Sequence, residues 1–302
     1  MNVIGFDTSN YTTSIALFNG VDGENCSRLL PVKPGELGLR QSDAVFSHTK
    51  SLPELSGRLF SHGLEIAAVG VSTRPRAVEG SYMPCFMVGY SHAKLLSDVL
   101  GVPLFEVSHQ QGHVAAALWS AGRLDLMDKP HLAWHLSGGT TELLLIEPDG
   151  KNVQCTKLGG TTDISAGQLI DRTGVMLQLP FPAGKHVDAL SKESVHTDLF
   201  KVKCNGLEFS LSGVQNKVQQ YSQQNSPAET AAFSLRCVCH AVKTATEHAK
   251  KQYPGLEVVF SGGVASNSML RSVMTDAIFA QPAFSTDNAM GVAILSHRML
   301  EG

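Results

Sequence analysis

The apolar residues of this chain come mostly in short, nearly continuous runs broken by small polar turns, a pattern that predicts buried strands. The first run is "VIGFD" (residues 3–7), followed by the turn "TSNYTT" and a second run, "SIALF". From residue 131 the same order returns, as "HLAWHL", then "SGGTT", then "ELLLIEPDG". Two β-hairpins with hydroxyl-rich turns in separate halves of the chain predict two similar α/β lobes. Leu64–Ser72, "PLFEV" (Pro103–Val107) and "EVVFSGG" read as further buried strands. The period turns helical in Pro227–Gln252, which has no internal proline, and again in Asp287–Leu300. Leu30–Asp43, "LPVKPGELGLRQSD", is the least regular stretch and reads as a mobile surface loop. The expected division is an N-terminal lobe over 1–107, completed by a C-terminal helix at 287–302, and a nucleotide- and substrate-binding lobe over 108–286. A cleft is expected between the lobes, and such clefts bind ligands at strand ends.

Length and composition fit that picture. At 302 residues, 43% hydrophobic and 17% charged, the chain exceeds what one core usually organises. No apolar run is long enough to cross a membrane. The start, "MNVIGFDTSN", carries Asp7 and no basic lead-in, so it reads as a strand rather than a signal peptide. Cys26, Cys85, Cys155, Cys204, Cys237 and Cys239 form no CxxC pair, which points to reduced thiols and a cytoplasmic location. The net charge of −3 creates no field that attracts nucleic acid. Lys201, Lys203, Lys243, Lys250 and Lys251 cluster locally and read as a solvated face, so a nucleic-acid substrate would need a partner to help hold it.

Candidate chemistry begins in "VSHQQGHVAAAL" (Val107–Leu118), where His109 and His113 stand four residues apart. That spacing puts two imidazoles on one helix face, as in zinc peptidases, which add a glutamate as base. Here Gln110, Gln111 and Gly112 intervene, so the pair is either a metal site without hydrolysis or a structural coincidence. A carboxylate such as Asp287 would complete the two-histidine, one-carboxylate set that suits iron(II) or zinc. Three glycine-rich turns follow strands: "LSGGTTE" (Leu136–Glu142), "LGGTTDISAGQLIDRTG" (Leu158–Gly174) and "FSGGVASN" (Phe260–Asn267). Glycine pairs let backbone amides converge on an anion, and the third turn opens a helix near Asn267, so the set reads as nucleotide-binding or as turn geometry alone. Asp163, Asp171 and Asp188 either bind ribose hydroxyls or cap helices, with Asp163 the best cap. Gly184, in "LPFPAG", offers a bare backbone under a base.

Taken together, "GFDTSNYTTSIAL", "VSHQQGH", "LSGGTTEL", "DISAGQLIDRTG", "LEFSLSG", "SGGVASN" and "STDNA" resemble, in order and over nearly the whole chain, the universal tRNA threonylcarbamoyltransferase family, also called the glycoprotease or O-sialoglycoprotein endopeptidase family. The resemblance implies the actin and sugar-kinase fold (ASKHA), two duplicated ribonuclease H-like lobes with a central cleft. It implies His109, His113 and Asp287 as ligands of a divalent metal, iron(II) or zinc. It places Leu136, Ser137, Gly138, Gly139 and Thr140 at the turn against the phosphates of ATP, AMP or threonylcarbamoyl-adenylate, and Asp171, Gly184, Asp188 and Asn267 around the adenosine. The implied reaction moves a threonylcarbamoyl group from its adenylate to a tRNA adenosine beside the anticodon. The implied partners are tRNA, held with other subunits, a related subunit of the same fold in a heterodimer, and an ATPase.

Departures from the family pattern mark a divergent paralogue. The family has His-x-Glu-Gly-His where Gln111 stands here, and a Cys-Asp-Glu-Thr-like turn where Asn10, Tyr11, Thr12 and Thr13 stand. Its glycine- and proline-rich loop is "TRPRAVEGSY" here, and the histidine after the central SGG is Thr140. Loss of acidic groups leaves a catalytic residue unassigned, with Gln111 expected as a group orienting the ligands. The leading reading is a transferase. A non-catalytic nucleotide- and metal-binding scaffold or regulator is the alternative, and a metallopeptidase the third.

Overall fold

A computed structural model of the chain describes residues 1–9, 11–31, 39–60, 63–286 and 288–302. Asn10, Asp287 and the middle of the loop expected at Leu30–Asp43 lie outside the described residues. In chain order the elements are β1 (Asn2–Asp7), β2 (Thr12–Phe18), β3 (Gly23–Leu29), α1 (Gln41–Leu59), β4 (Ile66–Arg74), α2 (Phe86–Leu100), β5 (Leu104–Ser108) and α3 (His109–Ser120). There follow β6 (His131–Leu136), β7 (Thr141–Asp149), β8 (Asn152–Thr161), α4 (Ala166–Met176), α5 (Gly184–Ser191), β9 (Cys204–Asn205), β10 (Glu208–Phe209) and α6 (Ser212–Ser222). The chain closes with α7 (Pro227–Gln252), β11 (Val258–Ser261), α8 (Ser268–Val273), β12 (Ile278–Phe279) and α9 (Met290–Leu300). Helix α1 starts at Gln41, inside the stretch expected to be loop.

Two compact units divide the chain. The first holds Met1–Lys129, Glu147–Cys155 and the C-terminal helix α9; the second holds Pro130–Ile146 and Thr156–Thr286. The first unit thus continues past Val107, where the sequence placed its end, to Lys129. Packing explains the difference, because α3 lies against α9. Gly112 and Gly291 let the two backbones meet so closely that a Cβ on Gly291 would collide with the Gly112 carbonyl.

In the first unit the sheet order is β3-β2-β1-β4-β5. β1, β2 and β3 pair antiparallel, while β4 and β5 extend the sheet in parallel from β1. Alternation along the strands separates two faces. Ile4, Phe6, Ile15, Val69 and Val71 bury against Leu52 and Leu55 of α1 and Val88 and Ala93 of α2. On the other face Gly5 and Gly70 have no side chain, and α9 fills that space with Ala293 and Ser296.

The second unit orders its strands β12-β11-β6-β7-β8-β10-β9. Read from β8 to β12, this repeats the strand order of the first unit, with the short β9–β10 hairpin added beside β8. Its core joins Leu132, Trp134, Phe209 and Phe260 to the apolar stripe of α7, including Val238, Val242 and Ala245. The Trp134 indole N–H donates to Thr246 Oγ1 at 2.8 Å, which satisfies its one buried polar group. Helix α7 spans the residues its pattern predicts. Ser226 caps it by accepting from Glu229 N, and Pro227 stands in the first turn, where no amide is needed. All six cysteines are free, and the five clustered lysines are exposed. No described helix is long and apolar enough to cross a membrane.

Candidate metal and nucleotide sites

β5 runs directly into α3, so Ser108 caps the helix, His109 opens it and His113 lies one turn on. The two Nε2 atoms face each other at 2.8 Å, with ring planes 74° apart. Asp7, at the C-terminal end of β1 and almost wholly buried, places Oδ2 2.6 Å from His109 Nδ1. Its Oδ1 accepts from Ser9 N at 2.8 Å. A carboxylate only accepts, so His109 Nδ1 carries the proton of that bond, and its Nε2 faces His113. Two imidazole nitrogens converging this way form a donor set that suits iron(II) or zinc. Asp287, the carboxylate expected with them, lies outside the described residues; among the described residues no three His, Cys, Asp or Glu side chains are arranged to hold a metal ion.

Gln111 does not face the histidines. Its Oε1 accepts from Ser108 N at 2.8 Å and Ser108 Oγ at 3.0 Å, and its Nε2 donates to Val153 O at 2.7 Å. Ser108 and Gln111 form a reciprocal capping box, a role that glutamate or glutamine fills at the third helical position. The expectation that Gln111 orients the metal ligands therefore gives way to a structural role, since every polar atom of its amide group is engaged elsewhere. The departure from the family acid at this position removes no group from the histidine pair.

Around Asp7 the interior of the first unit is unusually polar. Ser14 is its cross-strand partner, and the Ser14 and Ser72 hydroxyls are buried with no hydrogen-bond partner among the described residues. Thr13 Oγ1 lies 2.8 Å from Nδ1 of the buried His48. Burial lowers the His48 pKa to about 4, against an opposing pull from Asp7, so its ring is neutral at physiological pH.

In the second unit a cavity of about 450 Å³ is lined by Gly138, Asp171, Gly184, Asp188 and Asn267, together with Lys185 and others. These five are among the nine residues that the family resemblance placed at the phosphate turn and around adenosine. Among the described residues, no atom beyond the immediate chain neighbours lies within 4 Å of a Cβ built on Gly138, Gly139, Gly184 or Gly263, so these positions leave open space beside the backbone. Asp171 Oδ1 accepts from Ala183 N at 2.8 Å, and burial raises its pKa despite that bond. Asp188 Oδ1 accepts from Asn267 Nδ2 at 2.8 Å, Ser268 N at 3.0 Å and Ser268 Oγ at 2.9 Å. Its carboxylate thus fixes Asn267, whose own Oδ1 caps α8 by accepting from Leu270 N at 3.0 Å.

Leu136, Ser137, Gly139 and Thr140 do not line this cavity. Leu136 has its side chain in the core, and Ser137 closes the turn by accepting at Oγ from Thr140 N at 3.1 Å. The turn is braced from α4. Ser165 Oγ donates to Gly138 O at 2.6 Å, Thr141 Oγ1 accepts from Ala166 N at 2.8 Å, and a Cβ on Gly167 would strike the Ser137 carbonyl. Ser165, not Asp163, caps α4. Asp163 instead holds the "FSLSG" segment, accepting from Leu211 N, Ser210 Oγ and Ser212 Oγ. Burial raises its pKa, but those hydrogen bonds outweigh burial and hold the carboxyl well below its usual range.

Sequence reasoning missed Asp7, Lys185 and Gly167. Asp7 carried one available signal, its place at the end of the first apolar run, since α/β folds put their chemistry at strand ends.

The chain matches known proteins at two levels. Residues 43–294 fit the family model described as TsaD, tRNA N6-adenosine threonylcarbamoyltransferase. The enzyme of that name from Carboxydothermus hydrogenoformans is 34% identical over 253 residues, covering 79% of this chain and 73% of the relative. The one from Thermosipho africanus is 28% identical over 99% of this chain and 94% of its own length, and one from Enterococcus faecalis is matched over 62% of its length. Among solved structures, full-length HypF in its phosphate- and nucleotide-bound form superposes with a TM-score of 0.64 at 12% identity, over 100% of this chain and 47% of HypF. A ROK hexokinase from Thermus thermophilus gives 0.53 at 14% identity, over 100% and 99%. These likenesses establish the fold as the actin and sugar-kinase type that the sequence implied.

Proposed function

The chain belongs to the tRNA N6-adenosine threonylcarbamoyltransferase family, and on that premise we propose that it transfers a threonylcarbamoyl group from its adenylate to the exocyclic amine of a tRNA adenosine beside the anticodon. The observation that carries this reading is the second-unit cavity, which gathers Gly138, Asp171, Gly184, Asp188 and Asn267 from four separate stretches of chain. Its volume of about 450 Å³ suits a nucleotide-sized ligand.

In the reaction, the bond from the acyl carbon to the adenylate phosphate breaks as a bond to the adenosine amine forms, and the amine gives up one proton. The open backbone at Gly138, which lines the cavity, would hold the departing phosphate. Asp171, whose second oxygen has no partner among the described residues, would accept from a ribose hydroxyl. Asp188 acts through Asn267, keeping the wall of the cavity in place. His109 and His113 would hold a divalent metal, with Asp287 as the third ligand the family resemblance implies. When bound, the metal supplies Lewis-acid polarisation of the transferred carbonyl.

A peptidase would need a carboxylate base between the histidines, and Gln110, Gln111 and Gly112 stand there instead. With a net charge of −3, tRNA binding would rest on partner subunits, among them a related subunit of the same fold and an ATPase. Supplying preformed threonylcarbamoyl-adenylate, partner subunits and unmodified tRNA tests the reading. AMP release that depends on tRNA supports it. Release at the same rate without tRNA counts against it.

A further inference from the structure

The histidine pair is held by a residue on a different strand, 102 positions away in sequence. We propose that Asp7 is the positioning residue of the pair: it fixes His109 as the Nδ1–H tautomer and thereby sets the affinity of His109 and His113 for a divalent metal. This rests on the reading of the two histidines as metal ligands.

The topology makes the contact. β1 is the central strand of the first-unit sheet and ends in Asp7; β5 ends at Ser108 and delivers His109 into the first turn of α3. Asp7 is 1% exposed, so its carboxylate is not free to swing toward solvent. Its two oxygens have different duties, since Oδ1 accepts from Ser9 N at 2.8 Å and Oδ2 from His109 Nδ1 at 2.6 Å. Phe86 packs edge-on to the His109 ring with centroids 6.2 Å apart, which limits rotation of its plane. The outcome is an imidazole whose proton lies on the nitrogen away from His113. A ligand histidine must present an unprotonated nitrogen to the metal, and carboxylates that hold the opposite N–H typically alter metal affinity or activity by about 10- to 100-fold when changed.

The substitution Asp7→Asn isolates the effect because it keeps size and shape. An amide has one accepting oxygen where the carboxylate has two. If the oxygen stays on Ser9 N, the NH2 group faces His109 Nδ1 and drives the ring proton to Nε2, the donor the metal needs. If the oxygen turns to His109, the NH2 group confronts the Ser9 N–H.

The experiment uses the full chain, metal-free and labelled with ¹⁵N-histidine. Its long-range proton–nitrogen spectrum reports which nitrogen of each ring is protonated, with His109 assigned from the spectrum of His109→Asn. Zinc alone is then titrated against a chromogenic chelator, with His113→Ala as the control lacking one ligand. The expected result is an Nδ1–H tautomer for His109 in the wild-type chain, a shift toward Nε2–H in Asp7→Asn, and zinc binding about 10- to 100-fold weaker in that variant. An Nε2–H tautomer in the wild-type chain overturns the proposal without any variant. Unchanged zinc affinity in a folded Asp7→Asn also overturns it, as does complete loss of zinc with an unchanged tautomer, which would make Asp7 a direct ligand. A wild-type chain that binds no zinc, or binds it as well after His113→Ala, instead overturns the metal reading on which the proposal rests.

Discussion

Replacing Gln111 with the family's glutamate separates a capping role from a catalytic one. The Gln111 amide donates to Val153 O at 2.7 Å from a buried position, and a carboxylate cannot make that bond. Leaving a buried carbonyl opposite an acceptor costs about 1–3 kcal/mol. Negative charge near the N-terminus of α3 returns about 0.3–1 kcal/mol. The net expectation for Gln111→Glu is a loss of about 1.5 kcal/mol at pH 7. At roughly 2–4 °C per kcal/mol for a chain of this class, the melting temperature should fall by about 3–6 °C. The sign of the pH dependence follows from the same bond. A protonated carboxyl can donate to Val153 O, so folding favours the protonated form and lifts the folded pKa above the unfolded one. The penalty is then full at neutral pH and shrinks as pH falls through the raised value. Calorimetric melts of wild type and variant at pH 7 and pH 4.5, taken as differences, check both parts. A variant as stable as wild type at pH 7, or one that transfers the acyl group faster, would refute the assignment of Gln111 to the helix cap alone.

Three further outcomes follow from named groups. His48 has a folded pKa of about 4 against an ordinary 6.5, so its neutral form is favoured by folding. Stability is unaffected above pH 6.5 and falls by roughly 3 kcal/mol as pH drops toward 4; His48→Gln should flatten that part of a stability–pH curve, and an unaltered slope would contradict it. His113→Ala should abolish stoichiometric metal, measured by elemental analysis, in a chain that keeps its circular dichroism; equal metal content in both proteins would contradict the metal reading. Millimolar AMP should raise the melting temperature of the wild-type chain, by an amount equivalent to about 2.7 kcal/mol at a hundredfold excess over Kd. Gly138→Val, at an open backbone position that lines the cavity, should remove that rise without lowering the ligand-free melting temperature.

What the sequence discloses and what it hides divide along physical lines. Helix α7 was legible because its apolar stripe, its Ser226 cap and Pro227 all agree locally. The hairpins at residues 2–18 and 131–149 were legible from their short apolar runs and small polar turns. That Gly138, Asp171, Gly184, Asp188 and Asn267 share one cavity was expected only through the family resemblance, since they come from four separate stretches of chain. Asp7 was not legible, because its bond to His109 depends on which strand ends reach the same edge of the sheet, and that is a property of sheet order. Asp163 and Ser165 are two residues apart and both suit a cap; only the bonds to Leu211 and Ser212, nearly fifty residues on, decide between them. Gln111 looked like a lost acid because its partner, Val153, comes from a hairpin far along the chain. The unit boundary moved to Lys129 for a similar reason, since a glycine-to-glycine helix crossing leaves no periodic signal.

The central claim is that this chain carries out acyl transfer to tRNA, and the most direct measurement is the modified nucleoside itself. Threonine, bicarbonate, ATP, the adenylate-forming enzyme, partner subunits and tRNA are combined with the wild-type chain or with His113→Ala, and threonylcarbamoyladenosine is quantified by mass spectrometry after digestion. The account predicts modified adenosine with the wild-type chain and at least a tenfold loss with the variant, the scale on which changes around a metal site act. Absence of product with a wild-type chain that still binds AMP and metal would contradict it, and would leave a nucleotide-binding scaffold in its place.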